Sequence, residues 1–179
     1  AAGSRWKYLD SGAAPDEAWI RAEFSDNDWS KGQAQLGYGD NDEKTRLNNA
    51  AESYPTYYFR NSFTVDDPSA LKPLVLRLLR DDGAIVYLNG KEVVRDNMPD
   101  GPVARETFAE EATQVEDDFY VHVLPTERLV VGKNVIAVEV HQSSATSSDV
   151  SFDLEIREKV ASDRPGVAPR RQFGGPGRR

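Results

Sequence analysis

The dipeptide Asn89-Gly90 constrains this chain more than any other feature. A two-residue turn of type I′ needs φ > 0 at both central positions, and Asn and Gly reach that region at least steric cost. The flanking segments, 84–88 (Ala-Ile-Val-Tyr-Leu) and 92–94 (Glu-Val-Val), hold the β-branched and aromatic residues that suit a pleated surface. Residues 81–95 therefore read as a β-hairpin, and the hairpin sets the fold class as all-β.

The rest of the chain keeps this character. Residues 5–9 alternate as a first strand. Along 57–65, Phe59, Asn61, Phe63 and Val65 share one face, with Arg60, Ser62 and Thr64 on the other. Residues 73–80 place Leu74, Leu76 and Leu78 on one side. Further strands fall at 119–124, at 135–141 and at 150–156, the last with Phe152, Leu154 and Ile156 inward. Pro15 and the acids after it predict one helical turn at 15–19, and a short helix is expected over 106–113. About eight strands without βα alternation predict an antiparallel jelly-roll β-sandwich over residues 1–160. An extended tail follows over 161–179.

Apolar residues make up 39% and charged residues 29% of the chain, which suits sheets with one wetted face each. No apolar run nears the ~20 residues of a membrane-spanning helix. The absence of cysteine excludes disulfides, thiolate catalysis and Cys-based zinc sites. The chain opens at Ala1 rather than Met, as expected of a processed form. The formal charge of −8 is uneven: residues 161–179 hold five Arg and one acid, a local +4, leaving −12 on the rest. Such a body repels nucleic acid, which is excluded as its partner.

No reaction is spelled out. There is no Gly-x-Ser-x-Gly, no His-Glu-x-x-His, and only two His, His122 and His141. No pair among the 30 acids is singled out by spacing, and a non-catalytic protein is expected. Binding falls to the loops, where Tyr38, Tyr54 and Tyr57 are candidate glycan contacts. Asp81 and Asp82 read as a turn or cap before the hairpin, or as a pocket with Arg80 and His141 at a shared strand-end rim. Asp40 and Asp42 offer hard oxygen ligands for Ca²⁺, although their spacing departs from the EF-hand; the other reading is a solvated acidic loop. Trp6, Trp19 and Trp29 read as core that seals the sandwich, with a sugar-stacking platform or an interface as alternatives.

The hairpin has companions. They include Trp29 with Gly32, Leu36-Gly37-Tyr38-Gly39-Asp40 and Tyr57-Tyr58-Phe59-Arg60 before it. Asn97-Met98-Pro99, residues 137–142 (Ala-Val-Glu-Val-His-Gln) and residues 147–154 (Ser-Ser-Asp-Val-Ser-Phe-Asp-Leu) follow it. This series, over about residues 5–157, resembles the galactose-binding-like jelly-roll modules of secreted bacterial multidomain proteins. Such modules accompany calcineurin-like metallophosphoesterases and spore-coat-kinase-like proteins. The resemblance implies an extracellular or cell-surface location, a β-sandwich and a non-catalytic role. Many modules of this superfold bind glycans through end loops and hold a structural Ca²⁺, but the resemblance carries no binding residue across.

The tail is Pro-, Gly- and Arg-rich and reads as a flexible segment. Nineteen extended residues span ~60 Å, against a body ~40 Å across. Arg164, Arg170, Arg171, Arg178 and Arg179 complement the acidic body, and Val167 and Phe173 offer apolar anchors. Docking of this tail on a neighbouring copy predicts a self-assembling structural subunit, as a filament or surface array. A self-wrapped tail, a linker to a further domain and a carbohydrate-binding module are the alternatives.

Overall fold

A computed structural model describes residues 1–48, 54–113 and 118–166. Among them are eleven strands: β1 (Arg5–Leu9), β2 (Ser30–Gln33), β3 (Leu36–Tyr38), β4 (Thr45–Arg46), β5 (Thr56–Val65), β6 (Leu74–Asp81), β7 (Gly83–Leu88), β8 (Lys91–Asp96), β9 (Tyr120–Leu124), β10 (Gly132–His141) and β11 (Val150–Glu158). They form a jelly-roll sandwich of two sheets, ordered β2-β1-β5-β10-β7-β8 and β4-β3-β11-β6-β9. The ladders are antiparallel except for the short parallel β3–β4 pair. The hairpin is β7–β8, and its turn has φ 50° at Asn89 and 79° at Gly90, as a type I′ turn requires.

The core follows the period-2 pattern. Phe59, Val86 and Val138 of the six-stranded sheet meet Leu76, Leu78 and Phe152 of the five-stranded one. Phe152 stacks on Phe59 with ring centroids 4.1 Å apart and takes the edge of Trp6 at 4.9 Å, geometries that aromatic quadrupoles favour.

The outer face of the six-stranded sheet is largely buried too. Tyr58, Arg60, Ile85, Ala137 and Glu139 alternate away from the core yet are each at most 7% exposed. Two segments cover them. Residues 15–29 carry a 3₁₀ turn at Glu17–Ile20, where one helical turn was expected, and lay Trp19 edge-on against Tyr58 and Tyr87 with Trp29 stacked behind. Residues 97–111 bring Met98 and Ala109 onto Ile85. All three tryptophans are buried, Trp6 in the core between the sheets and Trp19 and Trp29 in the separate cluster over the outer face.

Residues 106–113 differ from expectation, since no helix forms there. Beyond a local turn from Thr107 to the Ala104 carbonyl, the amides bond across the chain: Ala109 to the Gln142 carbonyl, Glu110 to the Asn97 carbonyl and Thr113 to the Asp82 carboxylate. These long-range partners satisfy the backbone groups that a helix would otherwise pair.

Candidate functional site

The loop end of the sandwich gathers most of the residues singled out in the sequence. β6 and β7 are joined by one residue, Asp82, which carries the chain from one sheet to the other. Its carboxylate accepts the amide of Thr113 at 2.7 Å and that of Ser143 at 2.6 Å, tying two loops to this corner. Burial alone would raise Asp82, but these hydrogen bonds hold it below its ordinary value. Arg80 points inward, donates to Asp96 at 2.7 Å and to Thr113 Oγ1 at 2.7 Å, and lies 4.1 Å over the ring of Tyr120. Asp96 in turn meets His122 at 2.9 Å and is held low despite its burial.

His141 is fully buried. Its Nδ1 lies 2.7 Å from the Thr107 carbonyl, which can only accept, so this nitrogen carries the proton. The Thr56 hydroxyl donates to the Arg105 carbonyl at 2.6 Å and lies 3.0 Å from the same Nδ1. Tyr38 and Tyr57 lie between the sheets with hydroxyls 3.3 Å apart, and Gln142 donates to Tyr38. Desolvation pushes the Tyr57 phenol up. Tyr54 is half-buried over Gly12, where a Cβ would meet its ring at 2.3 Å.

Tyr38, Tyr57, Arg80, Asp81, Asp82 and His141 are thus brought to one end, but each is at most 5% exposed. The rim is plugged by its own loops: Asp82 and His141 bond to loop backbone, Arg80 pairs with Asp96 and Thr113, and Tyr57 donates to Tyr38. Asn97, at φ 56°, completes the plug by donating to the Asp82 and Glu111 carbonyls. Sequence reading did not give Asn97 this role, although a turn-dense run beginning at Asn was its signal.

Asp40, Asp42 and Glu43 place carboxylate oxygens within 4.8 Å of one another. Asp40 is raised by partial burial and by repulsion from Asp149, Asp42 and Glu43, which outweigh a hydrogen bond from Ser151. Ca²⁺ takes six to eight oxygens, and these three carboxylates, counted at one oxygen each, supply three of them.

The tail begins on its own body. The Lys159 amide donates to the Pro73 carbonyl at 2.8 Å, and the Gly166 amide to Val121 on the β9 edge at 3.0 Å. Arg157 clasps Asp163 with two bonds of 2.8 and 2.5 Å and lowers its pKa to about 2. Arg164 is exposed. Val167, Arg170, Arg171, Phe173, Arg178 and Arg179 lie outside the described residues.

An open cavity lies elsewhere, on the outer face of the six-stranded sheet. It has a volume of about 250 Å³ and is lined by Arg5, Lys7, Lys31, Arg60 and Lys133, with Asp26, Trp6, Asn61, Ser62 and Val135. The ladder register puts Lys31 opposite Lys7 and Lys7 opposite Arg60, so three cations stand in one row across β2, β1 and β5. Asp26, from the segment covering this face, bridges Lys7 at 2.5 Å and Arg60 at 2.9 Å. Burial would raise Asp26, but these two partners hold it below the usual carboxylate range. Arg60, 2% exposed, also donates to the carbonyls of Trp19 and Arg21. Sequence reading missed this site because its residues come from four strands and a loop. The one available signal was that Arg60 and Ser62 alternate outward.

No protein-family model matches the chain, and no curated protein sequence matches it. Solved structures do. A β-glucuronidase of Bacteroides uniformis aligns with 87% of this chain at 17% identity and TM-score 0.57, over 17% of its own length. A glycosyl hydrolase family 2 member from Bacteroides cellulosilyticus aligns with 88% at 13% identity and TM-score 0.54, over 20% of its length. A β-glycosidase from Bacteroides vulgatus aligns with 86% at 19% identity and TM-score 0.51, over 19%. The likeness establishes the β-sandwich fold, and this chain spans at most about a fifth of those enzymes. It gives no link to metallophosphoesterases or spore-coat kinases, the companions expected from the resemblance.

Proposed function

We propose that this chain is a non-catalytic carbohydrate-binding β-sandwich, an accessory module of an extracellular or cell-surface protein. The observation that carries this reading is the open cavity on the six-stranded sheet. It presents convergent hydrogen-bonding side chains to solvent, whereas Tyr38, Tyr57, Arg80, Asp82 and His141 at the loop end are buried. Binding sites join a concave surface to a few fixed polar groups; the Arg60–Asp26 clasp fixes one side here. The similar structures named above are all glycoside hydrolases, and each aligns over a minor part of its length. That pattern favours an accessory role over a reacting one. Self-assembly through the tail has less behind it, because residues 159–166 bond to their own body. Titration calorimetry against a panel of neutral and acidic oligosaccharides tests the reading. Saturable binding without hydrolysis of the bound sugar is expected, and no binding across the panel overturns it.

A further inference from the structure

The row of cations at the cavity needs a reason. Like charges directly opposite one another in adjacent strands are destabilising, yet Lys31, Lys7 and Arg60 stand in consecutive cross-strand register, with Arg5 and Lys133 at the same cavity. Asp26 answers only Lys7 and Arg60. Arg5, Lys31 and Lys133 have no ion-pair partner among the described residues. This concentration of positive charge sits on a chain of net charge −8, so it does not reflect overall composition.

We infer that the cavity selects sugars bearing an anionic substituent, a carboxylate or a sulfate, held by Arg5, Lys31 and Lys133 while Lys7 and Arg60 are kept in place by Asp26. The inference rests on the carbohydrate-binding reading and names its ligand class. Arg presents a planar fork that matches a carboxylate or sulfate with two parallel bonds, and Lys adds point charge. Ser62, exposed on the same wall, offers a hydroxyl to a sugar ring. At about 250 Å³ the cavity falls below the ~300–1,000 Å³ of drug-sized sites, a scale suited to one sugar unit.

Nucleic acid fits less well. It carries a charge every ~1.7 Å of duplex axis and is held by a run of some 6–10 phosphate contacts. Single strands also need aromatic platforms. The tryptophans of this chain are buried, and three uncommitted cations around one cavity meet a sparse charge better than a dense one. An acidic polysaccharide with one anionic group per repeat supplies that spacing.

The test compares five probes by calorimetry on the full chain: a uronic-acid oligosaccharide, its carboxyl-reduced neutral counterpart, a sulfated oligosaccharide, inorganic sulfate, and single-stranded DNA of matched length. The uronate or the sulfated sugar is expected to bind at least tenfold tighter than the neutral counterpart and to weaken between about 50 and 200 mM salt. The two acidic probes show which group is preferred. Lys31→Gln and Lys133→Gln, both at exposed positions, should each cost several-fold in affinity with unchanged unfolding midpoints. Equal binding of the neutral sugar, or affinity indifferent to both substitutions, overturns the inference while leaving carbohydrate binding intact. Inorganic sulfate binding as tightly as the sulfated sugar, or DNA binding more tightly than either acidic sugar, also overturns it. No binding of any sugar instead defeats the reading beneath it.

Discussion

Replacing Arg60 with Met should loosen the whole cover of the six-stranded sheet. Met keeps much of the aliphatic stem and removes the charge. In the native protein the guanidinium, 2% exposed, pairs with Asp26 at 2.9 Å and donates to the carbonyls of Trp19 and Arg21. It also lies 5.2 Å from the Phe24 ring centroid. Its loss leaves the Asp26 carboxylate with Lys7 alone and strips two partly buried carbonyls of their donor. Breaking a buried pair by removing one partner costs roughly 3–5 kcal/mol. For a chain of this size that is a fall in Tm of roughly 6–20 °C. Urea unfolding followed by tryptophan fluorescence reports on it directly, because Trp19 and Trp29 sit in the segment that Arg60 holds. Lys7→Gln is the control: its side chain is 27% exposed, and such a pair is worth about 0–1 kcal/mol. A loss below about 1 kcal/mol for Arg60→Met, with Trp19 and Trp29 still protected from quencher, would refute the reasoning.

Further outcomes follow from the same geometry. Asp82→Ala removes a buried, charged acceptor of two loop amides and should cost about 2–3 kcal/mol; exchange protection of the Thr113 and Ser143 amides should fall with it. Asp26, Asp82 and Asp96 are all held below their ordinary value of 3.8. Their stabilisation is therefore full above that value and is lost as pH falls through it toward the lower folded values. The urea midpoint should drop between about pH 5 and pH 2, partly offset by Asp40 and Asp153, whose raised pKa values act in the opposite sense. Light scattering at low salt should give a monomer for the full chain and for one ending at Gly166. A larger full-length particle that dissociates on truncation would restore self-assembly through the tail.

The legible parts of the fold were those whose evidence is local. Leu74, Leu76 and Leu78, and Phe152, Leu154 and Ile156, declare their faces by alternation, and Asn89-Gly90 declares its turn. The short β2, β3 and β4 were not legible as strands, because two to four residues such as Leu36-Gly37-Tyr38 show no period. They become strands only by pairing, β2 with β1, β3 with β11 and β4 with β3. Residues 106–113 misled because a polar, charged run resembles a helix until its long-range acceptors are known. Arg80, Asp82 and His141 lie together at one strand end. Their burial was not visible, since it depends on loops 15 to 65 residues away folding over them. The cation row was hidden for a related reason: Lys7, Lys31 and Arg60 are neighbours only through register.

The central claim is that sugar is bound at the outer face of the six-stranded sheet rather than at the loop end. Amide chemical shifts during titration with a uronic-acid oligosaccharide test it most directly. Saturable shifts at Lys7, Lys31, Ser62 and Lys133, with Tyr38, Asp82 and His141 unmoved, are the predicted result; shifts centred on Tyr38, Asp82 and His141, or none at all, would contradict it.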